Sequence, residues 1–384
     1  MDFDIVIIGG GLVGASLASA LKHSGLRLAL VEGQALPSLD SEWDSRIYAF
    51  TPGNVDFLKE CGAWQRLDTS RVQQVEEMRV FGDTGSRLNF SAYEIGAPEL
   101  AFILESRLLQ HALWQGLLEQ DNLTLLQPAQ CAELSIQDDS AHLKLKDGRE
   151  IRAKLVVGAD GRDSWVRKQA VMPEVPTPYH QHGVVANFST DKTHRGIAWQ
   201  WFTPDGILAL LPLPGKRISI VWSVSPEKSA ELLVLTHEEF AARVSEASNH
   251  TLGELQIITP PAAFPLRVLN LAHITKPRLA LVGDAAHNVH PLSGQGVNLG
   301  LRDIRKLAQV LQQRGDMDCG DLNLLRRYEK ARQGDIMSMQ LTTDTLKNLF
   351  VNDNPLLRTL RNIGLSATDK FVPLKKMLVR HALN

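Results

Sequence analysis

The chain has 384 residues, 44% of them hydrophobic, with a formal net charge of −2. That length and apolar content can bury a large core, as one extended domain or two interleaved ones, and the charge gives no electrostatic reason to expect nucleic acid. The three cysteines, Cys61, Cys131 and Cys319, stand far apart, which argues against a disulfide framework or a zinc site and suits a reducing compartment.

The chain opens on Ile5, Val6, Ile7 and Ile8, an apolar run of the kind found in buried parallel strands. Gly9-Gly10-Gly11-Leu12-Val13-Gly14 follows at once. Gly9, Gly11 and Gly14 fill the three glycine positions of a dinucleotide-binding turn. The first allows the tight turn, the second lets backbone approach a pyrophosphate, and the third lets helix pack on strand. A helix is expected to continue over residues 15–23, with Leu17, Ala20 and Leu21 on one face and Gly25 as its C-cap. A second apolar run, 28–31, ends in Glu32, roughly 20 residues past the glycines, where a carboxylate accepts both ribose hydroxyls. An acidic residue there fits the adenosine half of FAD or NAD and argues against a 2′-phosphate.

Leu155-Val156-Val157-Gly158 is another buried-strand pattern, running into Asp160-Gly161 and a charged helix start. The middle of the chain reads differently. Residues 183–189, 197–202, 207–212 and 218–224 are short strand-like runs separated by turn chemistry such as Thr203-Pro204-Asp205-Gly206, which predicts a mostly antiparallel sheet. Trp199 and Trp201 share one face of a strand and Phe202 takes the other. With Trp222, they are either ordinary core or the wall of an apolar pocket.

Residues 278–303 join a strand, ending at Gly283-Asp284, to a glycine-rich loop with Gly294 and Gly296. A helix follows, whose apolar face is Val297, Leu301, Ile304, Ala308 and Leu311. A loop at a helix N-terminus meets about half a positive charge and up to four unpaired donors, so it suits an anionic or electron-rich ligand. His287 and His290 are acid–base candidates by residue type; the alternative is that hydrogen bonds hold them in a tight loop, which Pro291 shapes. There is no His-Glu-x-x-His, no Gly-x-Ser-x-Gly and no carboxylate pair on one predicted helix, so no metal is expected and a cofactor should carry the chemistry.

The glycine turn, the Asp160-Gly161 motif and the Gly283-Asp284 motif occur in the order and at about the separations seen in flavin monooxygenases related to para-hydroxybenzoate hydroxylase, which this chain resembles. Within that group, His290-Pro291-Leu292-Ser293-Gly294-Gln295-Gly296-Val297-Asn298-Leu299-Gly300 resembles the signature of the ubiquinone-biosynthesis hydroxylases, and the likeness covers nearly the whole chain. It implies an α/β fold: a Rossmann-like FAD-binding domain (1–75, 101–175 and 271–335) interleaved with a mostly antiparallel β-sheet substrate domain (76–100 and 176–270), then C-terminal helices (336–384). It also implies FAD contacts from Gly9, Gly11, Leu12, Val13, Gly14, Glu32, Arg46, Arg107, Asp160, Gly283, Asp284, Gly294, Gly296, Val297 and Asn298. Arg46 and Arg107 would meet phosphate. Asp160 would lie near the pyrophosphate and the passing nicotinamide, Asp284 would hold the ribityl chain, and the helix from 296–298 would face the flavin pyrimidine. Trp199, Trp201, Trp222 and Pro291 would wall the substrate.

The activity implied is FAD-dependent ring hydroxylation through a C4a-hydroperoxyflavin, with O2 and NAD(P)H, on a polyprenylated phenol or quinol intermediate of ubiquinone synthesis. Because the sequence carries one nucleotide fingerprint, NAD(P)H is expected as a transient co-substrate. Two alternatives stand beside this: a flavin oxidoreductase of the same fold on another aromatic or quinone substrate, and a flavin-binding scaffold in a ubiquinone-biosynthesis complex. Tyr48-Ala49-Phe50-Thr51-Pro52-Gly53-Asn54 departs from the Ser-Ala-Ile-Asn/Ser run of several family members, although Arg46 is kept, so a distinct branch is expected.

A polyprenylated substrate resides in a membrane. Residues 355–384 hold six basic residues (Arg358, Arg361, Lys370, Lys375, Lys376 and Arg380) against Asp369 alone, with Leu374, Met377, Leu378 and His381 at helical spacing. Such an end either rests on anionic lipid, each charge contributing about 1 kcal/mol, or packs on the body with a solvated face. No apolar run approaches a membrane span and no leader precedes the first strand, so the expected location is cytoplasmic, peripheral on the cytoplasmic face of the membrane.

Overall fold

Asp2–Ile8, buried from Asp4 onward, is a central strand because its apolar residues do not alternate with polar ones and so suit cover on both faces. It pairs in parallel with Leu28–Val31 on one side and Glu150–Gly158 on the other. Leu123–Leu126 and Leu279–Leu281 extend the sheet, also in parallel. The helices Leu12–Ala20, Ser106–Leu118 and Gly296–Gln312 pack together in one core with these strands, through residues such as Leu17, Leu109 and Leu301. In this computed structural model the described residues are 1–36, 39, 41–82, 86–173, 177–203, 205–288 and 296–351. His290, Pro291, Gly294 and the basic segment 355–384 lie outside them.

The second sheet has seven strands in the order Leu255–Val268, Thr177–Thr190, Arg217–Val224, Gly206–Leu213, Ile197–Thr203, Glu77–Phe81 and Arg87–Ser91. All neighbours are antiparallel except Ile197–Thr203 with Glu77–Phe81. One face packs on the helices Pro226–Leu233 and His237–Ala247, through Leu232, Phe240 and Val244. The other face looks toward the first sheet: Asn187 Nδ2 donates to the Asp44 carbonyl at 2.8 Å, and Arg162 Nη1 donates to the Pro265 carbonyl at 3.0 Å. A small sheet of Ile47–Phe50, Ala101–Glu105 and Gln73–Val75 fills part of the space between, its Ile47 and Ile103 packing with Ala198 and Leu213.

Two expectations are corrected. Trp199, Trp201 and Trp222 lie on the helix-covered face, buried with Leu208, Leu210 and Phe240, so they are core and not pocket wall. The period-2 pattern places Trp199 and Trp201 on one face, but the helices that decide which face is dry come later, after residue 225. The opening helix also ends at Ala20, short of His23; Gly25, at φ 70°, belongs to the turn that follows. Among the described residues no helix is long and apolar enough to cross a membrane.

Candidate active site

The first glycine turn works by steric exclusion. Gly9 has φ 106°, and a Cβ there would strike the Ala159 backbone; a Cβ at Gly14 would run into the Gly9 carbonyl oxygen. A Cβ at Gly11 would meet nothing within 4 Å, so its backbone borders open space. No side chain caps the helix that starts here, which leaves its first-turn N–H groups for an anion. Leu12 is buried in the core, so its contribution to a ligand is through backbone alone. Val13 is a packing residue: a Cβ at Gly283 or Gly300 would come within 3.1 or 2.9 Å of its methyls. Both glycines are there so that three chain segments can meet at one valine. Glu32 points back at the turn, accepting from Gly10 N at 2.6 Å and Gln34 N at 2.9 Å. Trp114, which sequence reasoning missed, supports the turn from behind by donating to the Gly10 carbonyl at 2.8 Å.

Arg46 and Arg107 are brought to one corner by Asp44, whose carboxylate accepts from Arg46 N at 3.0 Å and Arg107 N at 3.1 Å. Buried Glu105 fixes that corner: it accepts from Asp44 N at 2.7 Å and takes a two-pronged ion pair from Arg71, both contacts 2.7 Å. The Arg107 guanidinium donates to the Glu42 carbonyl at 2.9 Å. Arg46 is exposed, and its guanidinium makes no hydrogen bond or ion pair among the described residues. It is the better placed of the two for a phosphate.

The Asp160 carboxylate is engaged within its own turn, accepting from Ser164 Oγ at 2.6 Å and Val166 N at 2.9 Å. Its observed role is to hold the strand-to-helix corner, not to stand free for a ligand. Arg167, only 3% exposed, ties this corner to the Gly283-Asp284 turn, donating to the Ala285 and Arg162 carbonyls at 2.9 Å each.

Asp284 is open to solvent yet ringed by enough protein that lost hydration pushes its carboxyl above the usual range, against the opposing charges of Arg162 and His287. Burial also pushes the Tyr48 hydroxyl up, and the Asp284 charge adds to the effect. Below this turn lies a buried charge network. Asp303, fully buried, accepts from His287 Nε2 at 2.6 Å, Arg332 Nε at 2.7 Å and Gly283 N at 2.9 Å. Burial would raise its pKa, but His287 and Arg332 outweigh that and hold the carboxyl below its usual range. His287 is therefore a buried support for this turn, with its Nε2 taken by Asp303. Gly296, where a Cβ would meet nothing, and half-buried Val297 begin the following helix. The Asn298 side chain is turned onto the chain itself. Its Oδ1 accepts from Thr51 N at 3.0 Å and Asn54 Nδ2 at 2.9 Å, and its Nδ2 donates to the Ala49 carbonyl at 2.7 Å. It clamps the very segment, 48–54, whose sequence is unusual.

Across from these turns, Val185, Ala209 and Val221 are partly exposed and Ala262 is exposed; by register the four form one row across the inward face of the second sheet. Phe264 borders them, with the Arg162 guanidinium 5.7 Å from its ring centroid. These small apolar residues replace the tryptophans as the accessible wall.

The site fits FAD on three observations: bare backbone at Gly11, an unengaged guanidinium at Arg46, and a carboxylate at the end of the second strand. A family model described as "FAD binding domain" matches residues 2–340. The chain belongs to that family. It is 36% identical to the ubiquinone hydroxylase UbiL of Rhodospirillum rubrum, over 99% of this chain and 89% of that one. It is also 36% identical to the 3-demethoxyubiquinol 3-hydroxylase of Escherichia coli, over 99% of this chain and 98% of that one. The solved p-nitrophenol 4-monooxygenase of Pseudomonas putida shares the fold at a TM-score of 0.81 and 18% identity, covering 100% of this chain and 98% of that one. The chain is an FAD-dependent monooxygenase.

Proposed function

We propose that this monooxygenase hydroxylates the ring of a polyprenylated phenol or quinol intermediate of ubiquinone synthesis, taking electrons from NAD(P)H that binds transiently and oxygen from O2. The observation that carries the reading is the 36% identity, along almost its whole length, to two hydroxylases named for ubiquinone or its precursor. When bound, FAD supplies the electron transfer and oxygen activation. The protein's part is to bind, orient and exclude water. Arg46 would meet a phosphate, the Gly11 backbone and the uncapped helix end would meet the pyrophosphate, and Asp284 would accept from a ribityl hydroxyl. The helix beginning at Gly296 would offer its positive end to the flavin. The row Val185, Val221, Ala209 holds the apolar ring.

The test is the quinone profile of cells lacking this protein: an under-hydroxylated prenyl phenol or quinol should accumulate, and an unchanged profile refutes the substrate class. A polyprenyl tail also requires approach to a membrane, and we assign that contact to the basic segment 355–384, where partners of the same pathway would gather. Vesicle flotation of the chain cut after Phe350 should show weakened binding; undiminished binding sinks the assignment.

A further inference from the structure

Gln200 is 5% exposed, yet its side-chain amide has no hydrogen-bond partner among the described residues. Its direction follows from register. Trp199 and Trp201 on either side pack against the helices, so Gln200 points to the opposite, inward face. There it pairs across the ladder with Ala209 on one side and Val80 on the other, which extends the row Val185, Val221, Ala209 by one position. The row is otherwise apolar and partly open. The nearby Asn187, also buried on this face, has its Nδ2 engaged by the Asp44 carbonyl. Gln200 has no such engagement.

The residue is mostly covered, but its amide atoms still reach the open side of the row, and a ligand that displaces water from them must supply a hydrogen bond in exchange. From this position we infer that Gln200 is a specificity residue, whose amide hydrogen-bonds an oxygen substituent on the aromatic ring of the substrate. Its Oε1 accepts from a ring hydroxyl, and its Nε2 donates to a ring ether or carbonyl oxygen, so the group suits phenols and their methoxylated or quinonoid relatives alike. It orients the ring within the row and touches neither FAD nor the transferred oxygen. The inference rests on the substrate class proposed above.

The experiment compares wild type with Gln200→Leu as FAD-loaded holoenzymes, titrated without oxygen with a 2-polyprenylphenol and with the matching polyprenylbenzene, binding being read from the flavin absorbance. Wild type should bind the phenol about tenfold more tightly than the benzene, the worth of one neutral hydrogen bond. In Gln200→Leu the two ligands should bind alike, with flavin content and Tm unchanged. Full discrimination retained by Gln200→Leu, or a lowered Tm with discrimination intact, overturns the assignment. If the leucine variant does not fold, Gln200→Met, closer in shape and flexibility, carries the same comparison. Wild type binding neither ligand overturns the substrate class itself, and is told apart from failure of the Gln200 assignment by the wild-type titration alone.

Discussion

The turn at Gly9–Gly14 and the turn at Gly283–Ala285 both border the proposed cofactor site and meet at Val13, but different forces hold them. The first is shaped mainly by what is absent: no Cβ fits at Gly9 or Gly14, and the one carboxylate shown on it, half-buried Glu32, comes from the next strand end. The second is held from below by Asp303, which gathers the Gly283 N–H, His287 and an arginine from the helix Leu322–Val351. A steric turn is specified within a few residues. A turn built on buried charge depends on residues 20 and 29 positions away along the chain from Asp303, so its integrity is tied to the docking of a distant helix.

The sharpest way to break this contrast is Asp303→Asn. An amide cannot accept from all three donors, and it removes one of the two carboxylates, Asp303 and Asp335, that compensate buried Arg332, at a cost of about 4 kcal/mol. A lower Tm in thermal unfolding checks this. The pH dependence has a definite sign. Because the folded pKa of Asp303 lies below the ordinary value of 3.8, its contribution is present above that value and lost as pH falls below it. The variant should therefore lose less of its remaining stability than wild type on acidification below that value. Gly14→Ala comes next, at about 3 kcal/mol, since the new methyl runs into the Gly9 carbonyl oxygen; soluble yield and Tm should both fall. Gly11→Ala is the informative opposite. Its methyl enters open space, so Tm without flavin should barely move, while FAD binding weakens about a hundredfold as backbone donors lose reach to the pyrophosphate. The smallest effect belongs to Asp284→Ala. Its folded pKa is raised, so the ionised carboxyl opposes folding above its unfolded value; Tm should hold or rise while flavin retention drops about tenfold. Unchanged flavin content would falsify its assignment to the ribityl chain.

What was legible in the sequence follows the same division. The glycine positions, the strand runs and the apolar face Leu301, Ile304, Ala308 and Leu311 depend on local sterics and periodicity, and all four of those helix residues are buried. The antiparallel middle sheet was legible for the same reason. The faces of that sheet were not, because which side stays dry is decided by helices that follow it in the chain; that is how three tryptophans were read as pocket wall. The partners of the Asn298 side chain were not legible either: its amide is taken by Ala49, Thr51 and Asn54, more than 240 residues earlier. The Glu105–Arg71 pair and the Arg167 contacts carry no local signature, since carbonyl acceptors can come from any residue.

In the proposed reaction, the site built on these two turns inserts one atom of O2 into a prenylated aromatic ring. Incubation of the holoenzyme with NAD(P)H, a 2-polyprenylphenol and isotopically labelled oxygen gas tests it directly. The predicted result is NAD(P)H oxidation stimulated by the phenol, with the label recovered in a new ring hydroxyl. Label found only in hydrogen peroxide or water, with the phenol unchanged, contradicts it.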